Sequence, residues 1–351
     1  MQGDLFGESV SPPLAESPAK AASAPKPVSV ARRGAPKVWP APSVEDWREL
    51  AQQLPTQLRF GVSTWSYPGW DGLVWDGEYD PGSLSKHGLG AYHQHPLLRA
   101  VCVDRTFWRP LTVAQYAAYA GQVDENFRFV VKCPAFVTDA QVRGDEGKAL
   151  KPNPDFLDSR LAVEHFVQPT LAGLGAKLGV LVFQLSPLSL GWLGRPAALL
   201  DRLGHMLAAV RQVLSAHPSV VVAVEVRDPE LLGQALADTL QAQGATFCLG
   251  LHGKMPPIES QLPMLRALWP GPLVCRWTLN RVFGAYGYAD AQKKHAPFDA
   301  IVSEDLHTRA VLARTIHGIT GAGQPAYVIV SNDAEGCAPL SIQKLAQAVS
   351  G

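Results

Sequence analysis

SVVVAVEVRD, residues 219–228, is the stretch whose reading decides the fold. From Val220 to Val226 every residue except Glu225 is apolar, most are β-branched, and nothing alternates. His217-Pro218 precedes the run and Asp228-Pro229 closes it. A continuous apolar run of this length reads as a strand buried on both faces, as in a parallel sheet wrapped by helices. Glu225 and Arg227 break the pattern at its carboxyl end. They are two residues apart and so share one face, at the strand end where α/β folds place their chemistry. A structural ion pair with a neighbouring strand is the other reading of Glu225.

Working outward, the same kind of run recurs at 59–63, 100–106, 127–133, 179–185, 246–252, 273–278 and 326–332, giving eight in all. Helical patterns fall between them, clearest at Ala197–Ser215, Pro229–Gln243, Glu259–Trp269, Ser303–Ile316 and Leu340–Val349. In the first of these, Leu199, Leu200, Leu203, Met206, Leu207 and Val210 recur at three- and four-residue steps. Eight strand–helix units most simply close into a (β/α)8 TIM barrel, an α/β fold. An open doubly wound sheet would carry a Gly-x-Gly-x-x-Gly turn after its first strand, and none is present.

The barrel domain is assigned to residues 43–351, beginning with a helix capped at Ser43. Residues 1–42 are rich in Pro, Ala, Ser and Lys and bury too little apolar surface to order, so a disordered tail is expected. The tail holds Gln2-Gly3-Asp4-Leu5-Phe6, similar to the peptide by which bacterial DNA enzymes dock on the sliding clamp. Gln2, Leu5 and Phe6 would be its anchors; a plain tail is the alternative.

Composition narrows the class further. Lys plus Arg and Asp plus Glu both number 31, so the chain has no basic footprint for unspecific nucleic-acid or membrane binding. The five cysteines form no Cys-x-x-Cys pair and read as buried hydrophobes of a reducing, cytoplasmic compartment. No apolar stretch is long enough to span a membrane, and no signal peptide is evident. A serine-hydrolase elbow and a Walker loop are both lacking. Only His252 among the histidines falls at a strand end, so no metal-ligand set is assigned and no cofactor is specified.

In a barrel, the last residues of each strand meet at one mouth. Those residues are Ser63, Asp104, Thr106, Lys132, Gln184, Glu225, Arg227, His252, Arg276, Asn332 and Asp333. A polar group at every strand end is the expected form of a convergent site. Lys132, Glu225 and Arg276, from the third, fifth and seventh strands, should point to one cavity. Two long connections, Trp65–His95 and Asn280–Ala300, carry clustered aromatics over the same end. Each reads equally as a pocket rim or as a small satellite core.

The order of GVSTWSYPGW (61–70), VDRTFWR (103–109), FRFVVKCP (127–134), LGVLVFQLSP (178–187), VAVEVRDP (222–229) and SNDAEGCAP (331–339) resembles the YecE-like family, domain of unknown function 72. The resemblance implies a TIM barrel and a site, but no reaction, because no activity is established for the family. It carries over to Trp65, Tyr67 and Trp70, to Thr106 and Phe107, to Lys132 and Pro134, to Gln184 and Pro187, and to Glu225 and Arg227. It fails in three places. The usual Glu-Val/Ile-Asn-Ser-Thr-Phe-Tyr reads Cys102-Val103-Asp104-Arg105-Thr106-Phe107-Trp108; Arg-Leu-His-Gly reads Arg276-Trp277-Thr278-Leu279; Phe-Asn-Asn reads Val330-Ser331-Asn332. If the lost Glu and His are catalytic in relatives, the resemblance implies a divergent branch with altered or absent activity.

Three functions follow as expectations. One is an enzyme acting on a small anionic or sugar-like metabolite. Glu225 or Asp104 would move a proton in it, and Lys132 would be an anion anchor, a Schiff-base nucleophile or a carboxylate's partner. Arg227, Arg276, Gln184, Thr106, Trp65, Tyr67, Asn332 and Asp333 would bind the ligand. The second is a nucleic-acid-processing protein recruited by a sliding clamp. The third is a binding protein that has lost catalysis.

Overall fold

Eight parallel strands close on themselves in the order β1-β10-β9-β8-β7-β6-β3-β2. They are β1 (Leu58–Val62), β2 (Leu98–Val103), β3 (Arg128–Lys132), β6 (Leu178–Gln184), β7 (Val221–Glu225), β8 (Thr246–Leu251), β9 (Leu273–Trp277) and β10 (Ala326–Val330). The first and last strands pair in register from Leu58↔Ala326 to Val62↔Val330, so the sheet has no free edge. The (β/α)8 barrel read from the sequence is the fold. These strands belong to a computed structural model that describes residues 38–144 and 147–351. The Gln2–Phe6 peptide and most of the expected tail lie outside the described residues.

Alternation along the strands sorts the apolar residues into two cores. The larger lies between barrel and helices; there Leu199, Leu203, Met206, Leu207 and Val210 of the helix Pro196–Val213 are buried, as their spacing predicts. The smaller fills the barrel with Ala100, Cys102, Val130, Val180, Val182, Ala223, Cys248, Val274, Tyr327 and Ile329. Most of these side chains are small, because eight strands leave room for little more. All five cysteines are free and buried. Among the described residues, no helix is long and apolar enough to cross a membrane.

Several local expectations change. Val38 is already buried, and Ala41 N donates to Val74 O at 3.0 Å, so packing begins ahead of Ser43. Ser43 caps no helix; its hydroxyl donates to Gly72 O at 2.6 Å, tying a 3-10 turn at Pro42–Trp47 to the next loop. The two aromatic connections separate in kind. In the first, Trp70 and Trp75 are fully buried with stacked rings 6.1 Å apart, which makes it a satellite core. In the second, Tyr286 and Tyr288 reach the cavity at the barrel mouth, which makes it a rim. An antiparallel hairpin, β4 (Gln141–Arg143) with β5 (Ala149–Pro152), rises after β3 and was not evident from the sequence.

Candidate functional site

The inner face of six strands carries one more residue beyond the small apolar layer. Cys102 leads to Asp104, Val130 to Lys132, Val182 to Gln184, Ala223 to Glu225, Cys248 to Gly250 and Val274 to Arg276. The period of two therefore delivers a polar layer directly above an apolar one. At Gly250 the strand leaves the Glu225 side chain as nearest neighbour, its Oε1 3.4 Å from where a Cβ would stand. Glu225 takes that space.

Arg276 organises the layer. Its Nη1 donates to Glu225 Oε2 at 2.7 Å and to Gln184 Oε1 at 2.8 Å. Its Nη2 lies 2.9 Å from each oxygen of Asp104. Arg227 Nη2 sits 2.8 Å from Glu225 Oε1 and donates to Gln184 Oε1 at 3.0 Å. Glu225, Arg276 and Lys132 are wholly buried. Two guanidiniums thus face one buried carboxylate and share one amide oxygen, pairing charges too costly to bury alone. The Lys132 ammonium lies 3.8 Å from the centre of the Phe107 ring.

Above this layer opens a cavity of about 350 Å³. Gln184 and Arg227 reach it from the polar layer, while Asp104, Lys132, Glu225 and Arg276 do not line it. Glu225 and Arg276 meet one layer below the cavity, while the Lys132 ammonium lies against the Phe107 ring. The walls come from the connections: Phe107 and Trp108 after β2, Phe136 to Arg143 after β3, His252 and Lys254 after β8, and Tyr286 and Tyr288 after β9.

Each cation on the walls is matched locally. Arg143 Nε donates to Asp139 Oδ2 at 2.6 Å, and Lys254 Nζ lies 3.3 Å from Asp228 Oδ1. Asp228 also accepts from Leu188 N at 2.8 Å, which ties together the connections after β6, β7 and β8. His252 Nδ1 accepts from Lys254 N at 3.0 Å, so the neutral ring carries its proton on Nε2. Asn153 holds the hairpin root by donating to Phe136 O at 2.8 Å and Asp139 O at 2.7 Å.

The remaining predicted residues lie elsewhere. The Thr106 hydroxyl lies 2.6 Å from both Val103 O and Lys132 O, with its one proton between them, and so ties β2 to β3. Trp65 packs edge-on to Tyr119 at 5.0 Å, and Tyr67 to Phe298 at 5.3 Å. Asn332 Oδ1 accepts from Ala338 N at 2.8 Å and from Trp70 Nε1 at 3.3 Å. Asp333 is buried beside Ser331, and burial pushes its carboxyl up to about 7. None of these lines the cavity. Missed in the sequence were Asp139, Arg143, Asn153, Asp155, Ser186 and Lys254; Lys254 follows His252 closely enough that strand-end position could have found it. Among the described residues, no three His, Cys, Asp or Glu side chains are placed to hold a metal ion.

A family profile described as "Protein of unknown function DUF72" matches residues 59–351. A DUF72 family protein from Enterococcus faecalis superposes with a TM-score of 0.54 at 14% identity, over 83% of this chain and 95% of its own. A DUF72 family protein from Thermotoga maritima gives a TM-score of 0.52 at 18% identity, over 84% of this chain and 99% of its own. Identities this low speak for the fold. No curated protein matches the chain.

Proposed function

The chain belongs to the DUF72 family, and from that premise we propose that the cavity at the strand ends binds a small, sugar-like, polyhydroxylated metabolite. The observation that carries this reading is charge matching: Arg143, Arg227 and Lys254 each have a carboxylate within 3.3 Å, in Asp139, Glu225 and Asp228. An anion would have to compete with those carboxylates for its cations. A polyol can instead bridge the ions while adding hydrogen bonds to Gln184, Ser186, Asn153 and His252. Phe107, Trp108, Phe136, Tyr286 and Tyr288 supply the apolar ring faces that a sugar's C–H side packs against.

In this reading Lys132, Glu225, Asp104 and Arg276 act from below, holding Arg227, Gln184 and Phe107 in position. The group that exchanges a proton with the ligand is His252, because it reaches the cavity. The nucleic-acid reading rests on Gln2, Leu5 and Phe6 and on the breadth of the barrel class, and the chain's equal numbers of acidic and basic residues lend it no electrostatic support.

Calorimetry with a panel of neutral sugars, uronates and sugar phosphates tests the proposal. Neutral sugars should bind, and Trp108→Ala should weaken them about tenfold, near the value of one stacking contact. Binding restricted to the charged members of the panel would overturn the polyol reading and restore the anionic one.

A further inference from the structure

The opposite end of the barrel gathers three arginines. Arg59, Arg99 and Arg128 stand at the amino ends of β1, β2 and β3, which are neighbours in the sheet. Arg59 is paired in register with Tyr327, and Arg128 with Ala100, one residue beyond Arg99. Tyr327 belongs to the core inside the barrel. Its ring crosses that interior because β6 offers Gly179: a Cβ there would lie 2.9 Å from Tyr327 Cε1, 3.0 Å from its hydroxyl and 3.0 Å from Arg128 Cβ. The phenol hydroxyl therefore stands beside Arg128 as well as Arg59.

Among the described residues no carboxylate forms an ion pair with any of the three arginines, and the nearby Glu125 is engaged by Lys177 at 3.1 Å. Arg128 Nη1 turns to the carbonyls of Glu125 and Phe127, at 2.6 and 2.9 Å. Arg59 Nη1 is buried with no hydrogen-bond partner among the described residues. Burial first, then the like charges of Arg99 and Arg128, hold the Arg59 guanidinium below its ordinary value, against the Tyr327 hydroxyl. A buried donor without an acceptor calls for a ligand or ordered water, and converging guanidiniums select an oxyanion through their planar forks.

We propose that the amino end of the barrel is a second binding site, for a small oxyanion of the phosphate type, held by Arg59 and Arg99 with Arg128 and the Tyr327 hydroxyl beside them. It is independent of the sugar reading at the mouth. The oxyanion is a free ion or the terminal group of a phosphomonoester, and the two are separable by experiment.

The test is calorimetry and thermal melting of the full chain in a buffer free of multivalent anions, titrated with inorganic phosphate and, separately, methyl phosphate. Wild type should bind phosphate and melt higher with it. Arg59→Met should weaken phosphate about tenfold or more, and should melt no lower than wild type without phosphate, since a like charge has gone. Arg99→Met should behave likewise and serves if Arg59→Met does not fold. Equal affinity for methyl phosphate identifies a monoester terminus, and phosphate alone identifies the free ion. The proposal is overturned if wild type binds neither, or if affinity is unchanged in both variants. It is overturned equally if both variants melt lower in phosphate-free buffer, which would make the arginines structural donors.

Discussion

Arg276 on β9 reaches across the barrel to Asp104 beyond β2, with one nitrogen 2.9 Å from both carboxylate oxygens. Its other terminal nitrogen binds Glu225 and Gln184, so one guanidinium links residues of β6, β7 and β9 to the turn after β2. Removing it leaves the buried Glu225 with Arg227 as its one remaining cation and strips Asp104, which is only partly exposed, of its partner. Arg276→Met should cost about 3–5 kcal/mol of stability, the usual penalty for breaking a buried pair on one side. Arg276→Lys should not restore it, since a single ammonium cannot match the planar fork. Chemical denaturation of both variants checks this; wild-type stability in either would show the network to be dispensable.

Arg227 differs because it both belongs to the network and reaches the cavity. Arg227→Gln should weaken the mouth ligand by about 1.5–3 kcal/mol, the value of a charged hydrogen bond. Its melting temperature should fall less than that of Arg276→Met, because water entering from the cavity can solvate Glu225. Equal affinity in wild type and variant would place the ligand away from Arg227.

Gly253 sets the spacing of two walls. A Cβ there would lie 2.0 Å from Gly284 O, so two backbones pass where no side chain fits. His252 and Lys254 flank one glycine, and Ala285 and Tyr286 follow the other. Gly253→Ala should push the connections after β8 and β9 apart, costing about 1–3 kcal/mol as overpacking does, and weaken the ligand at the same time. Melting and calorimetry on one sample measure both effects, and an unchanged pair of values would contradict the close approach.

Two buried groups give opposite pH signatures. Burial raises the Asp333 carboxyl from 3.8 to about 7, so the folded chain holds a proton there that the unfolded chain releases. Its contribution is fully present below pH 4 and is lost as pH rises through 7. Burial lowers the His95 imidazole from 6.5 to about 3, so stability from His95 is instead lost as pH falls from 6.5 towards 3. Between pH 4 and 6.5 the two slopes oppose each other. Asp333→Asn should melt higher relative to wild type as pH increases from 4 to 7, with the gap constant above 7. Parallel melting curves for the two proteins across that range would mean that Asp333 is ionised in the fold.

The barrel was legible because buried parallel strands need long apolar runs, and the SVVVAVEVRD stretch already carried both the strand and its polar end. The layer of Lys132, Gln184, Glu225 and Arg276 was legible for the same reason, since alternation fixes the facing of each residue. The cavity was not. Its walls come from connections, where Asp139, Asn153 and Lys254 obey no period, and from β4, whose three residues are too few to show one. Trp65 and Tyr67 were misplaced for a related reason. Aromatic clusters look alike in sequence whether they rim a cavity, as Tyr286 and Tyr288 do, or pack on one another, as Trp70 and Trp75 do.

Floor and walls also have separate origins, since the strands supply one and the connections the other. Arg276 engages strand-end partners and would keep them if the hairpin after β3 were exchanged for another. A lineage can therefore retarget its cavity by replacing that hairpin without renegotiating the interior. Chains that share the buried platform need not share a ligand, and kinship across the barrel predicts architecture better than it predicts diet.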